Sequence, residues 1–130
     1  MDSTTITANK NIARQFFLHF EKGDVEAVIT LFSPTALYWI PTVRKEYGMT
    51  EFKEALHWIQ SRLKGGIRFQ LGPIVAEENR VCTMAESFAI TTEGKPFNNL
   101  YHTFFEINDG KIAYAREYND TAHVFSTLRA

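Results

Sequence analysis

Two glutamates stand in the middle of strand-like, largely apolar runs, and they are the residues of this chain best suited to chemistry. Glu86 lies within Val81–Ile90 (VCTMAESFAI), where Cys82, Met84, Phe88 and Ile90 share its parity. Glu117 lies within Lys111–Asp120 (KIAYAREYND). A carboxylate drawn into apolar surroundings must be paired, hydrated in a cavity or kept neutral, because an unpaired buried charge shifts its pKa instead. Two such acids in a strand-rich core imply a pocket with acid/base potential. The competing reading is structural: each is a solvated strand residue or half of an ion pair. Arg68, Arg80 and Arg116 are the cross-strand candidates for Glu117.

Other chemistries find little support. His19, His57, His102 and His123 fall on four separate segments and form no H-x-H, H-E-x-x-H or Cys/His spacing, so no metal site is expected. No Ser/His/Asp arrangement or nucleophile elbow is present. Gly65-Gly66, Gly94-Lys95 and Gly110-Lys111 read as turns rather than phosphate loops. The single Cys82 excludes an internal disulfide. With a formal charge of −1, the chain lacks the basic footprint of a nucleic-acid binder. No run reaches membrane-spanning length and no signal peptide is apparent, so a cytoplasmic location is the default expectation. An aromatic content of 14% is enough to fill a core and still line an apolar pocket.

The elements that must hold these acids follow from periodicity. The 130 residues suit one domain, with 1–8 as a flexible lead-in and 9–130 as the folded part. Ile12, Ala13, Phe16, Phe17 and Phe20 recur at helical spacing from Asn9 and stop at Gly23. Asp24 caps a second helix carrying Val25, Val28, Ile29 and Phe32, ended by Ser33-Pro34. After a short β-type run, Ala36–Ile40, Thr50 caps a third helix over Glu51–Lys64, terminated by Gly65-Gly66. The period then changes to two, predicting strands near Arg68–Val75, Arg80–Thr92, Asn98–Asn108 and Lys111–Asp120. Asp109-Gly110 between the last two is a strong hairpin signal, and Asp120 is placed to cap a C-terminal segment, Thr121–Thr127. The result is an α+β fold: a curved antiparallel sheet covered by three N-terminal helices. Leu100, His102 and Phe104 on the outer sheet face favour a homodimer.

Helix–Gly-Asp–helix, a short strand, a helix and a meander ending in NNLYHTFFEINDGKIAYAREYND resemble the NTF2-like superfamily, and within it the SnoaL-like branch. That branch includes polyketide cyclases, ketosteroid isomerases and limonene-type epoxide hydrolases. The most specific stretch runs from Asn99-x-Tyr101 through Asp109-Gly110-Lys111-Ile112 to Arg116-Glu117-Tyr118-x-Asp120. The resemblance implies a cone-shaped sheet with its site in the open end, and it says little about the reaction. The isomerases' base, oxyanion Tyr and second acid fall on Ile40, Phe16 and Thr103, so that apparatus is lost. The epoxide hydrolases' two acids fall on Glu86 and Glu117 and their Tyr on Tyr38, while their Arg and Asn fall on Met84 and Ile40. The cyclases' single base corresponds to Glu117.

The same matching register implies that Met84, Glu86, Phe88, Asn99, Tyr101, Thr103, Glu117 and Asn119 face the cone. It makes Glu117 a general base, Glu86 its partner, and Tyr101, Asn99 or Tyr38 the donor to a developing oxyanion. Phe16, Phe88, Trp39, Trp58 and Met84 would wall in a hydrophobic or aromatic small molecule. The expected chemistry is cofactor-free and isomerase-, lyase- or cyclase-like. The alternatives are a non-catalytic module for a hydrophobic ligand, or a protein-interaction domain using the outer sheet face. For Tyr101 the competing role is a core tyrosine satisfied by Asn99 or a buried water. Trp39 and Trp58 have core roles as their competing reading.

Overall fold

Residues 1–129 are described by the computed structural model of the chain. The order is α1 (Ser3–Glu21), α2 (Val25–Thr30), β1 (Phe32–Ile40), β2 (Lys45–Tyr47), α3 (Met49–Ser61), β3 (Leu63–Glu77), β4 (Arg80–Thr91), β5 (Leu100–Asn108), β6 (Lys111–Asn119) and α4 (Thr121–Ser126). The strands form one six-stranded sheet in the order β2-β1-β6-β5-β4-β3. Every neighbouring pair is antiparallel except β1 with β6, which is parallel.

Local signals set most boundaries. The α1 helix begins at Ser3, inside the polar segment expected as a lead-in, because Asp2 caps it by accepting the Thr5 amide at 2.8 Å. Gly23, at φ +71°, ends that turn, and Asp24 caps α2 through the Ala27 amide. Ser33-Pro34 does not end a helix; it lies inside β1. The cap of α3 is Gly48 with Glu51, not Thr50. Gly65 and Gly66, at φ +81° and +84°, do not terminate α3 but form a bulge in β3, where the register against β4 slips between Lys64 and Ile67. A second slip lies between Leu71 and Ile74. These bulges bend the long β3–β4 hairpin and give the sheet its concavity. Asp109 and Gly110 both have positive φ, as a tight two-residue hairpin requires.

The helices α1, α2 and α3 cover the concave face. Their apolar stripes meet the sheet in an aromatic core containing Phe16, Phe17, Phe32, Tyr38, Phe52 and Phe105. A second, smaller cluster joins Leu63, Ile67 and Phe97 to Val124 and Leu128, so the C-terminal segment closes one side of the cone. That segment is held by polar contacts as well. Arg62 Nε donates to the Leu128 carbonyl at 3.2 Å, Lys95 Nζ to the Ser126 carbonyl at 3.4 Å, and the Asn98 amide to His123 Nε2 at 3.1 Å. Asp120 caps α4 through the His123 amide, as its position suggested.

The faces of β5 and β6 agree with the expected parity, and the face of β4 does not. Tyr101 and Thr103 on β5 stand opposite Asn119 and Glu117 on β6, all facing inward. On β4 the inward set is Val81, Thr83, Ala85 and Ser87, all buried. Met84, Glu86 and Phe88 therefore point to the convex face, and Met84 is 46% exposed. A register shift of one residue reverses every side chain of a strand. Glu86 pairs with Leu100 and Gln70 on that outer face. Trp39 also lies outside, beneath the Arg116 guanidinium at 3.8 Å.

Candidate active site

The pocket occupies the open end of the cone and has a volume of about 110 Å³. That exceeds the ~10–15 Å³ needed by one water severalfold. Its walls are mainly aromatic and aliphatic, with Phe16, Phe17, Phe20, Phe52, Phe69 and Phe97 prominent. The polar lining is a short strip on β5, β6 and the residue just before β5: Asn99, Tyr101, Thr103, Glu117 and Asn119. Tyr38 joins it from β1, and Trp58 and Arg129 stand where the pocket meets an outer groove. Phe105 and Ala115, the next inward residues on β5 and β6, are 0% exposed. Thr103 and Glu117 therefore form the floor.

Glu117 is held by two donors. Tyr38 donates its hydroxyl proton to Oε1 at 2.7 Å, and Asn119 Nδ2 donates to Oε2 at 2.6 Å. The Tyr38 ring is clamped against Phe52 at a centroid separation of 4.1 Å and a tilt of 13°, which aims its hydroxyl at the acid. None of the arginines expected as ion-pair partners reaches Glu117. Arg116 lies on the other face, donating to the Tyr118 and Tyr114 hydroxyls, Arg80 pairs with Glu78, and Arg68 sits over Phe88. Glu117 keeps some accessible surface because it faces the cavity, yet protein encloses its carboxyl. Burial raises its pKa above the ordinary carboxylate range, and the hydrogen bonds from Tyr38 and Asn119 partly offset that rise. Burial, reinforced by the Glu117 charge, pushes the Tyr38 hydroxyl well above its usual value, so Tyr38 stays a donor.

Tyr101 is organised differently. Its hydroxyl lies 3.1 Å from Ser87 Oγ, which also accepts the Asn99 amide at 3.0 Å and lies 3.3 Å from the Phe97 carbonyl. A carbonyl can only accept, so the Ser87 proton goes to Phe97, and Tyr101 must donate to Ser87. Burial and the Glu117 charge raise the Tyr101 pKa, while Ser87 and Asn99 oppose them. The residue expected to donate to an oxyanion therefore has its proton engaged by Ser87. Ser87, which holds Tyr101 and Asn99 in place, is the residue around the pocket that sequence reasoning missed. Its one sequence signal is small size beside the large Glu86 and Phe88, on the parity assigned to the outside.

Asn99 completes the strip. Its backbone is fixed by Ser87, which donates its own amide to the Asn99 carbonyl at 2.9 Å. Its side chain is 1% exposed and lies beside the Tyr101 hydroxyl, but neither Oδ1 nor Nδ2 makes a well-formed hydrogen bond among the described residues. Asn119 Oδ1 is likewise unpartnered. Each such group left dry costs about 1–3 kcal/mol. Among the described residues, no group of three or more His, Cys, Asp or Glu side chains is arranged to hold a metal.

Of the expected site residues, Glu117, Tyr101, Tyr38, Asn99, Phe16, Trp58, Thr103 and Asn119 line one pocket. Glu86, Met84 and Phe88 do not, so the two glutamates never meet. A family description, the SnoaL-like domain, matches residues 13–115. The chain belongs to the SnoaL-like family. The match stops two residues short of Glu117. The similar solved structures include proteins described as NTF2-like. PrhC from Penicillium brasilianum is 20% identical, with a TM-score of 0.85 over 94% of this chain and 86% of its own. TerC, co-crystallized with polyporic acid, is 18% identical, with a TM-score of 0.81 over 95% and 99%. An LEH-like epoxide hydrolase from M. tuberculosis is 20% identical, with a TM-score of 0.77 over 96% and 92%. At these identities the likeness is one of fold. No curated protein matches the sequence. No helix among the described residues is long and apolar enough to cross a membrane.

Proposed function

We propose that this SnoaL-like cone is an enzyme site in which Glu117 removes a proton next to a carbonyl of a flat hydrophobic or aromatic small molecule, without a cofactor. The observation that carries the proposal is a buried carboxylate, unpaired with any cation among the described residues, facing an apolar cavity and held by two neutral donors. A base works best when its pKa is lifted toward working pH while it remains largely ionised, and enclosure acts in that direction. Tyr38 and Asn119 fix the carboxylate so that its remaining lone pairs address the cavity. As negative charge develops on the substrate oxygen, Tyr101 turns its hydroxyl from Ser87 to that oxygen. Collapse of the enolate then gives isomerisation, elimination or ring closure according to the substrate.

Epoxide hydrolysis of the kind named for the M. tuberculosis protein is less well supported. Glu86, the second acid that the resemblance supplied, is outside, and Arg129 at the mouth is the one cation among the described pocket-lining residues. The proposal is tested by incubating the protein with 2-tetralone in D2O and following deuterium incorporation at the α-carbon by NMR. Acceleration over buffer that disappears in Glu117→Gln is the expected result. Exchange equal in the native and Glu117→Gln proteins would leave a binding module as the better reading.

On the convex face, Met84, Ile90, Leu100 and Tyr118 are each more than 40% exposed. This apolar surface supports a homodimer through the sheet, which sedimentation of the native chain tests directly.

A further inference from the structure

The base chemistry leaves the Asn99 amide unused. Its backbone is bonded in both directions to Ser87, so the side chain is delivered to a fixed place on the pocket wall. Both polar atoms of that side chain are buried beside the Tyr101 hydroxyl, and among the described residues neither makes a well-formed hydrogen bond. An amide held this way matches one kind of ligand edge: a donor and an acceptor side by side. A carboxylate or phosphate could use Nδ2 but would set its charge against Oδ1. A purely apolar group would leave both atoms unsatisfied.

Position adds a length. Asn99, Tyr101 and Thr103 share one face of the β5 line, and Thr103 stands opposite Glu117. Four residues of extended chain place the Asn99 and Thr103 backbones about 13 Å apart. With both side chains reaching inward, a ligand that touches Asn99 and Glu117 together spans less than that backbone separation, at most about two fused rings without bulky substituents, as the cavity of about 110 Å³ requires. The aromatic walls suit a flat ring system. The unpartnered Oδ1 of Asn119, beside Glu117, adds one acceptor for a hydroxyl of the ligand.

We infer that Asn99 is the specificity-determining residue of the pocket, binding a neutral edge in which a hydroxyl or N–H adjoins a carbonyl, at the end of a two-ring ligand remote from Glu117. The ligand class rests on the base reading, because the length is measured to Glu117. The donor–acceptor recognition at Asn99 does not depend on it.

Three probes of nearly one shape test the inference by calorimetric titration: 2-quinolone, which carries the matched edge; 1-methyl-2-quinolone, which lacks the donor; and naphthalene, which lacks both groups. The native chain should bind 2-quinolone at least tenfold more tightly than either control. Asn99→Leu should bind all three within about twofold of one another, with its melting temperature retained. Asn99→Ala gives the same readout should the leucine variant fail to fold. Glu117→Gln should keep the native preference. Equal binding of the three probes by the native chain, or a preference that survives in Asn99→Leu, overturns the inference and leaves ordered water as the partner of Asn99. Neither outcome touches the exchange assay for Glu117. Conversely, exchange insensitive to Glu117→Gln together with an intact probe preference would sink the base reading and keep Asn99 as a recognition residue.

Discussion

Glu86 and Glu117 look alike along the chain and occupy opposite sides of the same sheet. Each sits mid-strand among apolar neighbours. Glu117 faces the cavity, bonded to Tyr38 and Asn119, while Glu86 shares the convex face with Met84 and Phe88. The lesson is that apolar neighbours of matching parity do not identify the buried face when both faces of a strand are apolar. On β4 the discriminating property is size. The inward residues Val81, Thr83, Ala85 and Ser87 are small because Phe17, Phe69 and Tyr101 crowd the concave side, whereas the large side chains lie outside.

The strongest way to break this contrast is to neutralise each acid in turn. Glu117→Gln should lower α-proton exchange by about 10²–10⁴-fold, the usual worth of a general base, and Glu86→Gln should leave it within about twofold. Equal losses would mean that the two faces cooperate. Next in size is a packing change on the cavity side. Phe105→Ala, at the 0% exposed base of the core, should cost about 3–5 kcal/mol in chemical denaturation. Met84→Ala on the convex face of the same sheet should cost well under half of that.

Tyr38→Phe sharpens the account of Glu117 itself. It removes a hydrogen bond that holds the acid down, so the Glu117 pKa should rise further, and the acidic limb of the pH–rate profile should move to higher pH. NMR titration of the Glu117 side-chain carboxyl checks this directly. The linkage has a defined sign. Glu117 has a higher pKa folded than unfolded, so its contribution to stability is fully present below the unfolded value and is lost as pH rises through the folded one. Glu117→Gln should lack this loss, so its melting temperature relative to the native chain should increase as pH rises above the ordinary carboxylate range. The smallest effect is expected at Tyr101. Its hydroxyl is satisfied by donation to Ser87, so Tyr101→Phe should cost no stability beyond about 1 kcal/mol while lowering exchange by roughly tenfold.

Much of the architecture was readable because it depends on local rules. The stripe Ile12–Phe20, the stop at Gly23, the cap at Asp24 and the turn at Asp109-Gly110 each act over a few residues, and each is present. Gly65-Gly66 misled because positive-φ glycines serve helix ends and strand bulges equally well, and the choice lies in pairing with β4. The short β2 carries no pattern of its own and exists by pairing with β1. Within the site, the inward parity of β5 and β6 followed from the hairpin between them. The roles of Ser87, Asn99 and Asn119 did not, because they depend on which hydrogen bonds remain unmade once three strands are aligned.

The segment after β6 shapes the cavity as well as the core. Val124 and Leu128 form part of the cavity wall, and Arg129 stands at its rim above Trp58. Anything spliced behind that rim hangs in the doorway. A purification handle belongs at the other terminus, ahead of α1, whose first turns line none of the cavity, and an assay that ignores this risks measuring its own tag.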